Sequence, residues 1–144
     1  MKGSYILVLN LREEREITVG KLGTIPFSAG FYAYVGSAMG GLEPRIARHI
    51  GKTKRLHWHI DYLLQAASVE EAIFAESATR TECVIARSLA SGLVSVPRFG
   101  CSDCRCPTHL YFSAQESTIL SAVEEAFRQV GLSPQRWSEI ASLR

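Results

Sequence analysis

The chain has 144 residues, 47% of them hydrophobic and 21% charged, and a formal net charge of +2. That length suits one domain built on one hydrophobic core, and the balance excludes a disordered or fibrous chain. So small a charge implies no polyanionic partner by itself, so a case for nucleic acid rests on where the charges sit.

The first apolar run ends at Leu9, with Asn10 and Arg12 behind it. It is too short for a secretory h-region or a membrane span, which predicts a cytoplasmic protein with no membrane partner. This run, residues 4–10, reads as a first strand because it is brief and rich in strand formers. Residues 16–20 follow a charged turn as a second strand. Gly23, Pro26 and Gly30 then break the chain before a third strand over 31–35. The first 36 residues therefore predict a three-stranded antiparallel unit.

Gly40-Gly41 ends it, and Pro44 suits the first turn of a helix over 44–50. A second helix is expected over 58–67, with Ile60, Leu63, Leu64 and Ala67 as its apolar stripe. Residues 69–75 read as a strand, 79–90 as a third helix and 109–112 as a late strand. A final helix begins at Ser117, turns Leu120, Val123, Phe127 and Val130 to the core, and stops at Gly131. The tail over 134–140 adds a helical turn. With no repeat or linker in between, residues 1–144 form a single α+β domain, a small and mainly antiparallel central sheet flanked by helices.

Five groups of residues are candidates for chemistry. Tyr34-Val35-Gly36-Ser37 stands where a strand gives way to a helix, and its glycine lets a ligand approach the backbone. In the helix that follows, Leu42, Ile46 and Ile50 mark a buried side, while Arg45, Arg48, His49 and Lys52 share the other. Lys54 and Arg55 extend that strip, and no acidic residue lies between Arg45 and Arg55. Arginine forks suit phosphate oxygens, although a charge run is also what a solvated helix face looks like.

Glu82 completes a capping-box spacing with Thr79, yet it also heads the apolar stripe of Ile85, Ala86 and Leu89. A carboxylate on a core-facing stripe needs a partner or a cation. Finally, Cys101, Cys104, Cys106 and His109 place four zinc-type donors in nine residues, against the plainer reading of reduced loop thiols. His57, Trp58 and His59 with Asp61 form a further cluster. Here His57 and Asp61 at i, i+4 could share a metal or a hydrogen bond and Trp58 and Tyr62 could stack on bases, against the plainer reading of capping and packing.

Together these residues resemble the GIY-YIG nuclease superfamily. Tyr34-Val35-Gly36 matches its second tyrosine motif and Gly3-Ser4-Tyr5 a relaxed first one. Arg45 falls where the helix arginine is expected, and Thr81-Glu82-Cys83-Val84-Ile85 looks like the glutamate helix. A candidate strand and a Gly/Pro-broken loop separate the two tyrosine motifs here. The span from Gly3 to Phe112 is similar to the uncharacterised Uri-superfamily endonucleases, through Leu56-His57-Trp58-His59-Ile60-Asp61-Tyr62 and Phe99-Gly100-Cys101-Ser102-Asp103-Cys104-Arg105-Cys106.

The resemblance implies a metal-dependent endonuclease acting on nucleic acid, DNA ahead of RNA. Glu82 would bind Mg²⁺ or Mn²⁺, Arg45 would neutralise phosphoryl charge, and Tyr5 or Tyr34, aided by His49, would activate water. Such a phenol would need a nearby cation to lower its pKa. Gly36, Ser37, Arg48, Lys52, Lys54 and Arg55 would hold the backbone. The competing expectation is a non-catalytic nucleic-acid-binding module that keeps the fold and carries a zinc loop.

Overall fold

The computed structural model describes residues 1–51, 55–101 and 106–138. Lys52, Lys54 and Cys104 lie outside the described residues. The first strand, β1 (Gly3–Leu11), is apolar along nearly its whole length because both of its faces are covered. Tyr5, Leu7, Leu9 and Leu11 point to one side, and Ile6 and Val8 to the other. A two-residue period thus hides inside an unbroken hydrophobic run, as it does in any strand buried on both faces.

Among the described residues β1 is central in a six-stranded sheet. On one side it pairs with β4 (Gly30–Ala38), which continues to β7 (Leu110–Ser113) and the two-residue β6 (Val94–Ser95). On the other it pairs with β5 (Ser68–Glu76), which ends the sheet through β8 (Gln135–Arg136). Every pairing is antiparallel.

The expected three-stranded N-terminal unit does not form. β2 (Arg15–Thr18) pairs instead with β3 (Thr24–Phe27) in a separate two-stranded ribbon. That ribbon is an excursion between β1 and β4, which lie side by side with Tyr5 opposite Gly36. The sequence signals missed β3 because Pro26 sits inside it. Proline is tolerated there because the ribbon has only two strands, each of them an edge.

Helices cover both faces. α1 (Leu42–Ile50) and the short α2 (His59–Leu63) pack on the Tyr5–Leu11 side through Leu42, Ile46, Ile60 and Leu63. α3 (Glu82–Ala90) and α4 (Glu116–Gln129) pack on the Ile6–Val8 side through Ile85, Leu89, Ile119, Val123 and Phe127. The fold is therefore α+β with an antiparallel sheet between two helical layers, as the sequence predicts.

Several boundaries differ. α1 starts two residues before Pro44, and its buried side is Leu42, Ile46 and His49, whereas Ile50 is 44% exposed. α2 is half its expected length, since the backbone tightens into turns after Leu63. The tail expected as a helical turn over 134–140 begins with β8, turns helical at Trp137 and Ser138, and its last two residues lie outside the described ones.

Candidate functional site

β1 and β4 together build one wall of a cavity of about 700 Å³. Tyr5, Tyr34, Gly36, Ser37, Arg45 and Glu82 all line it, along with Trp58 and His109. Residues distant in sequence thus meet at one end of the sheet. Gly36 permits this: a Cβ there would lie 2.3 Å from both Cζ and Oη of Tyr5. No real side chain tolerates such an approach, so the glycine of the Tyr-Val-Gly motif makes room for the phenol of the neighbouring strand.

Tyr5 is 1% exposed, and its Oη lies 2.7 Å from His49 Nε2, in a buried hydrogen bond. Burial pushes the Tyr5 phenol up to about 12, although Arg45 pulls the other way. Tyr34 is raised as well, first by burial and then by the charge of Tyr5. The cation that was expected to lower a phenol is present, but desolvation outweighs it. Both tyrosines are therefore protonated at neutral pH.

Arg45 is held by Ser37 and Trp58 and also hydrogen-bonds to the Tyr5 phenol. Its Nη1 donates to the Ser37 carbonyl at 2.9 Å, and its guanidinium lies 4.6 Å from the Trp58 ring centroid. None of these contacts neutralises its charge, which stays available to the cavity.

Glu82 is placed by its neighbour. Thr81 stands at the N-cap of α3 but makes no side-chain cap. Its hydroxyl instead meets Ser4 Oγ at 2.6 Å, tying the helix start to β1. The capping box predicted from Thr79 is absent too, because the helix begins only at Glu82. Released from capping, the Glu82 carboxylate turns into the cavity, with its side chain 13% exposed. Oε1 lies 3.7 Å from Nη1 of the largely exposed Arg80. Oε2 is buried with no hydrogen-bond partner among the described residues, and so is Ser37 Oγ on the same wall. Two orphaned oxygens in one cavity are unusual, since buried polar atoms are nearly always satisfied.

The model of a family described as a domain of unknown function, DUF123, matches residues 4–132. The chain belongs to this family. No curated protein and no solved structure matches it.

One residue expected to hold the nucleic-acid backbone, Arg48, has other employment in this DUF123 chain. Arg48 makes a bidentate pair with Asp61, each nitrogen–oxygen distance being 2.9 Å. Asp61 is fully buried, and its Oδ2 also accepts from the backbone N–H groups of His57 and Trp58. Burial opposes its ionisation, yet the bonds from Arg48 and from the two amides outweigh it and hold the carboxyl below its usual range. Arg48 is thus a structural anchor for the turn before α2. His49, expected on the basic face, is 2% exposed and stands behind Tyr5 rather than on the cavity wall. Arg55 remains exposed.

Cys104 of the expected zinc-type set lies outside the described residues. Among the described ones, Cys106 and His109 come together with Cys83 of α3, and Cys101 is not in that cluster. His109 is buried, and burial pulls its imidazole below the ordinary value against the opposing charge of Glu82. Sequence reading did not find Cys83 as a partner, since it lies 18 residues before Cys101, the first cysteine of the loop. Trp58, also missed as a support for Arg45, carried a signal only in the strip it follows. Among the described residues, no helix of this DUF123 chain is long and apolar enough to cross a membrane.

Proposed function

We propose that the chain is a cytosolic endonuclease of the GIY-YIG type, of the Uri-superfamily group. It hydrolyses nucleic-acid phosphodiester bonds, DNA ahead of RNA, with one Mg²⁺ or Mn²⁺ at Glu82. The observation that carries this reading is the buried Glu82 Oε2, without a partner among the described residues, on a wall shared with two phenols and a guanidinium. A buried carboxylate is costly unless it is paired or bound to a cation. Its hard oxygen suits Mg²⁺ or Mn²⁺, which keep most of their waters, and the cavity has room for them. Such an ion, when bound, polarises the scissile phosphate and steadies the leaving oxygen.

The chain's own side chains supply the rest. Arg45, fixed by Ser37 and Trp58, faces the charge that grows on the phosphoryl oxygens. In the His49 tautomer protonated at Nδ1, the Tyr5 hydroxyl donates to Nε2, which leaves a phenolic lone pair to orient the attacking water and gives the phenolic proton a place to go; in the other tautomer the phenol accepts instead. Gly36, by admitting the Tyr5 ring, and Ser37, whose Oγ has no partner among the described residues, shape the wall that the nucleic-acid backbone would meet. Arg55, with Lys52 and Lys54 of the same strip, extends the contact along the strand.

The test is nicking of labelled duplex, branched and single-stranded DNA with Mg²⁺, Mn²⁺ or chelator. Cleavage is expected only with metal, and Glu82→Ala should slow the single-turnover rate about a hundredfold or more. A Glu82→Ala protein as fast as the parent removes the assignment.

A second reading, a nucleic-acid-binding module without catalysis, is favoured by one observation. Both phenols have raised pKa values, so neither is a ready base at pH 7. Binding that is indifferent to metal and never followed by cleavage selects this reading.

A further inference from the structure

One residue beyond Glu82, the thiol of Cys83 meets donors from a distant segment. Cys83 Sγ, Cys106 Sγ and a ring nitrogen of His109 all lie within 4.8 Å of one another. Cys83 Sγ is 3.8 Å from His109 Nε2. Around a tetrahedral zinc with Zn–S near 2.3 Å and Zn–N near 2.0–2.1 Å, ligand atoms stand about 3.6–3.8 Å apart. The set is thus already close to the spacing one ion would impose.

Its backbone is firmly built. His109 N–H donates to the Phe99 carbonyl at 2.8 Å, and the His109 carbonyl accepts from Val35 N–H at 2.9 Å. Between Cys106 and His109, Thr108 is fully buried, and its hydroxyl bonds to the carbonyls of Val96 and Phe99. Cys106-Pro107-Thr108-His109 therefore presents two ligands from one braced turn. Cys83 presents the third from the first turn of α3, where the helix dipole favours a thiolate. The two cysteines are half-buried, which leaves an entry path, while the imidazole is buried.

We propose that Cys83, Cys106 and His109 bind one zinc ion, supplying three of its four tetrahedral positions. Sulfur and imidazole donors select zinc over Mg²⁺ or Mn²⁺, so this centre is chemically distinct from the carboxylate at Glu82. The ion clamps the segment before β7 to the start of α3. By fixing that helix turn it steadies the neighbouring Glu82, whatever reaction the cavity supports.

Metal analysis of the full chain, purified without chelator and dialysed against zinc, tests the proposal. The expected content is about one zinc per chain for the parent and for Glu82→Gln, falling about tenfold in Cys83→Ser and in Cys106→Ser. Cobalt replacing zinc in the parent should give the intense visible bands of a tetrahedral ion and a thiolate charge-transfer band in the near ultraviolet. That spectrum needs no variant to fold. A parent with no zinc above the dialysis buffer overturns the proposal, as does undiminished zinc in Cys83→Ser or a pale, octahedral cobalt spectrum. None of these results depends on cleavage of nucleic acid, so the zinc site and the nuclease reading stand or fall separately.

Discussion

Replacing Gly36 by alanine probes how the site is assembled. Gly36 lies within β4 and is not among the glycines with a left-handed backbone, so alanine meets no obstacle in φ. The obstacle is Tyr5: the new methyl would sit 2.3 Å from Cζ and Oη and 2.7 Å from Cε1. Ordinary contact begins near 3.4 Å, so the ring must retreat by roughly an ångström, and it is 1% exposed with His49 against it. Overpacking of this kind costs about 1–3 kcal/mol. Losing the hydrogen bond to His49 adds about 1 kcal/mol.

A total near 3 kcal/mol should lower the melting temperature by roughly 6–12 °C in a domain of this size. The assay is urea denaturation of the parent, Gly36→Ala, Tyr5→Ala and the double variant. In the Tyr5→Ala background the clashing ring is gone, so Gly36→Ala should become nearly neutral there, giving a coupling close to the full 3 kcal/mol or so. An equal cost in both backgrounds would refute the argument that the glycine exists to admit the phenol.

Asp61→Asn should destabilise the fold by about 3 kcal/mol at pH 7, because it strips the charge from a buried pair whose arginine remains. Since the folded pKa of Asp61 is depressed, its contribution is full above the unfolded value of about 3.9 and disappears as the pH falls through the folded value. The gap between parent and variant should therefore shrink below about pH 4, and a gap that persists there in urea titrations contradicts the assignment. Tyr5→Phe should cost about 1 kcal/mol and slow cleavage without weakening DNA binding; a variant weaker only in binding would place the hydroxyl on the phosphate instead. With chelator present, Glu82→Gln should be neutral or stabilising by up to about 1 kcal/mol, because it removes a buried charge whose Oε2 has no partner among the described residues. Mg²⁺ should then raise the melting temperature of the parent and leave that of Glu82→Gln unchanged.

Sequence by itself determined most of the elements and the α+β class. A run buried on both faces, a Gly-Gly break and a long amphipathic helix are local signals, and local signals survive in one dimension. It also singled out Tyr5, Tyr34, Arg45 and Glu82, which the fold brings to one cavity. Tertiary structure decided what each side chain faces. Arg48 and Arg45 look equivalent along the helix, yet a buried carboxylate from α2 claims one and leaves the other to the cavity. His49 reads as a surface cation, but Tyr5 and the α1 packing draw it inside. Cys83 joins Cys106 and His109 only because α3 starts beside the segment that enters β7. Periodicity tells which face of an element is apolar. Which partner waits across a sheet or helix boundary depends on strand order and packing, and no local pattern encodes that.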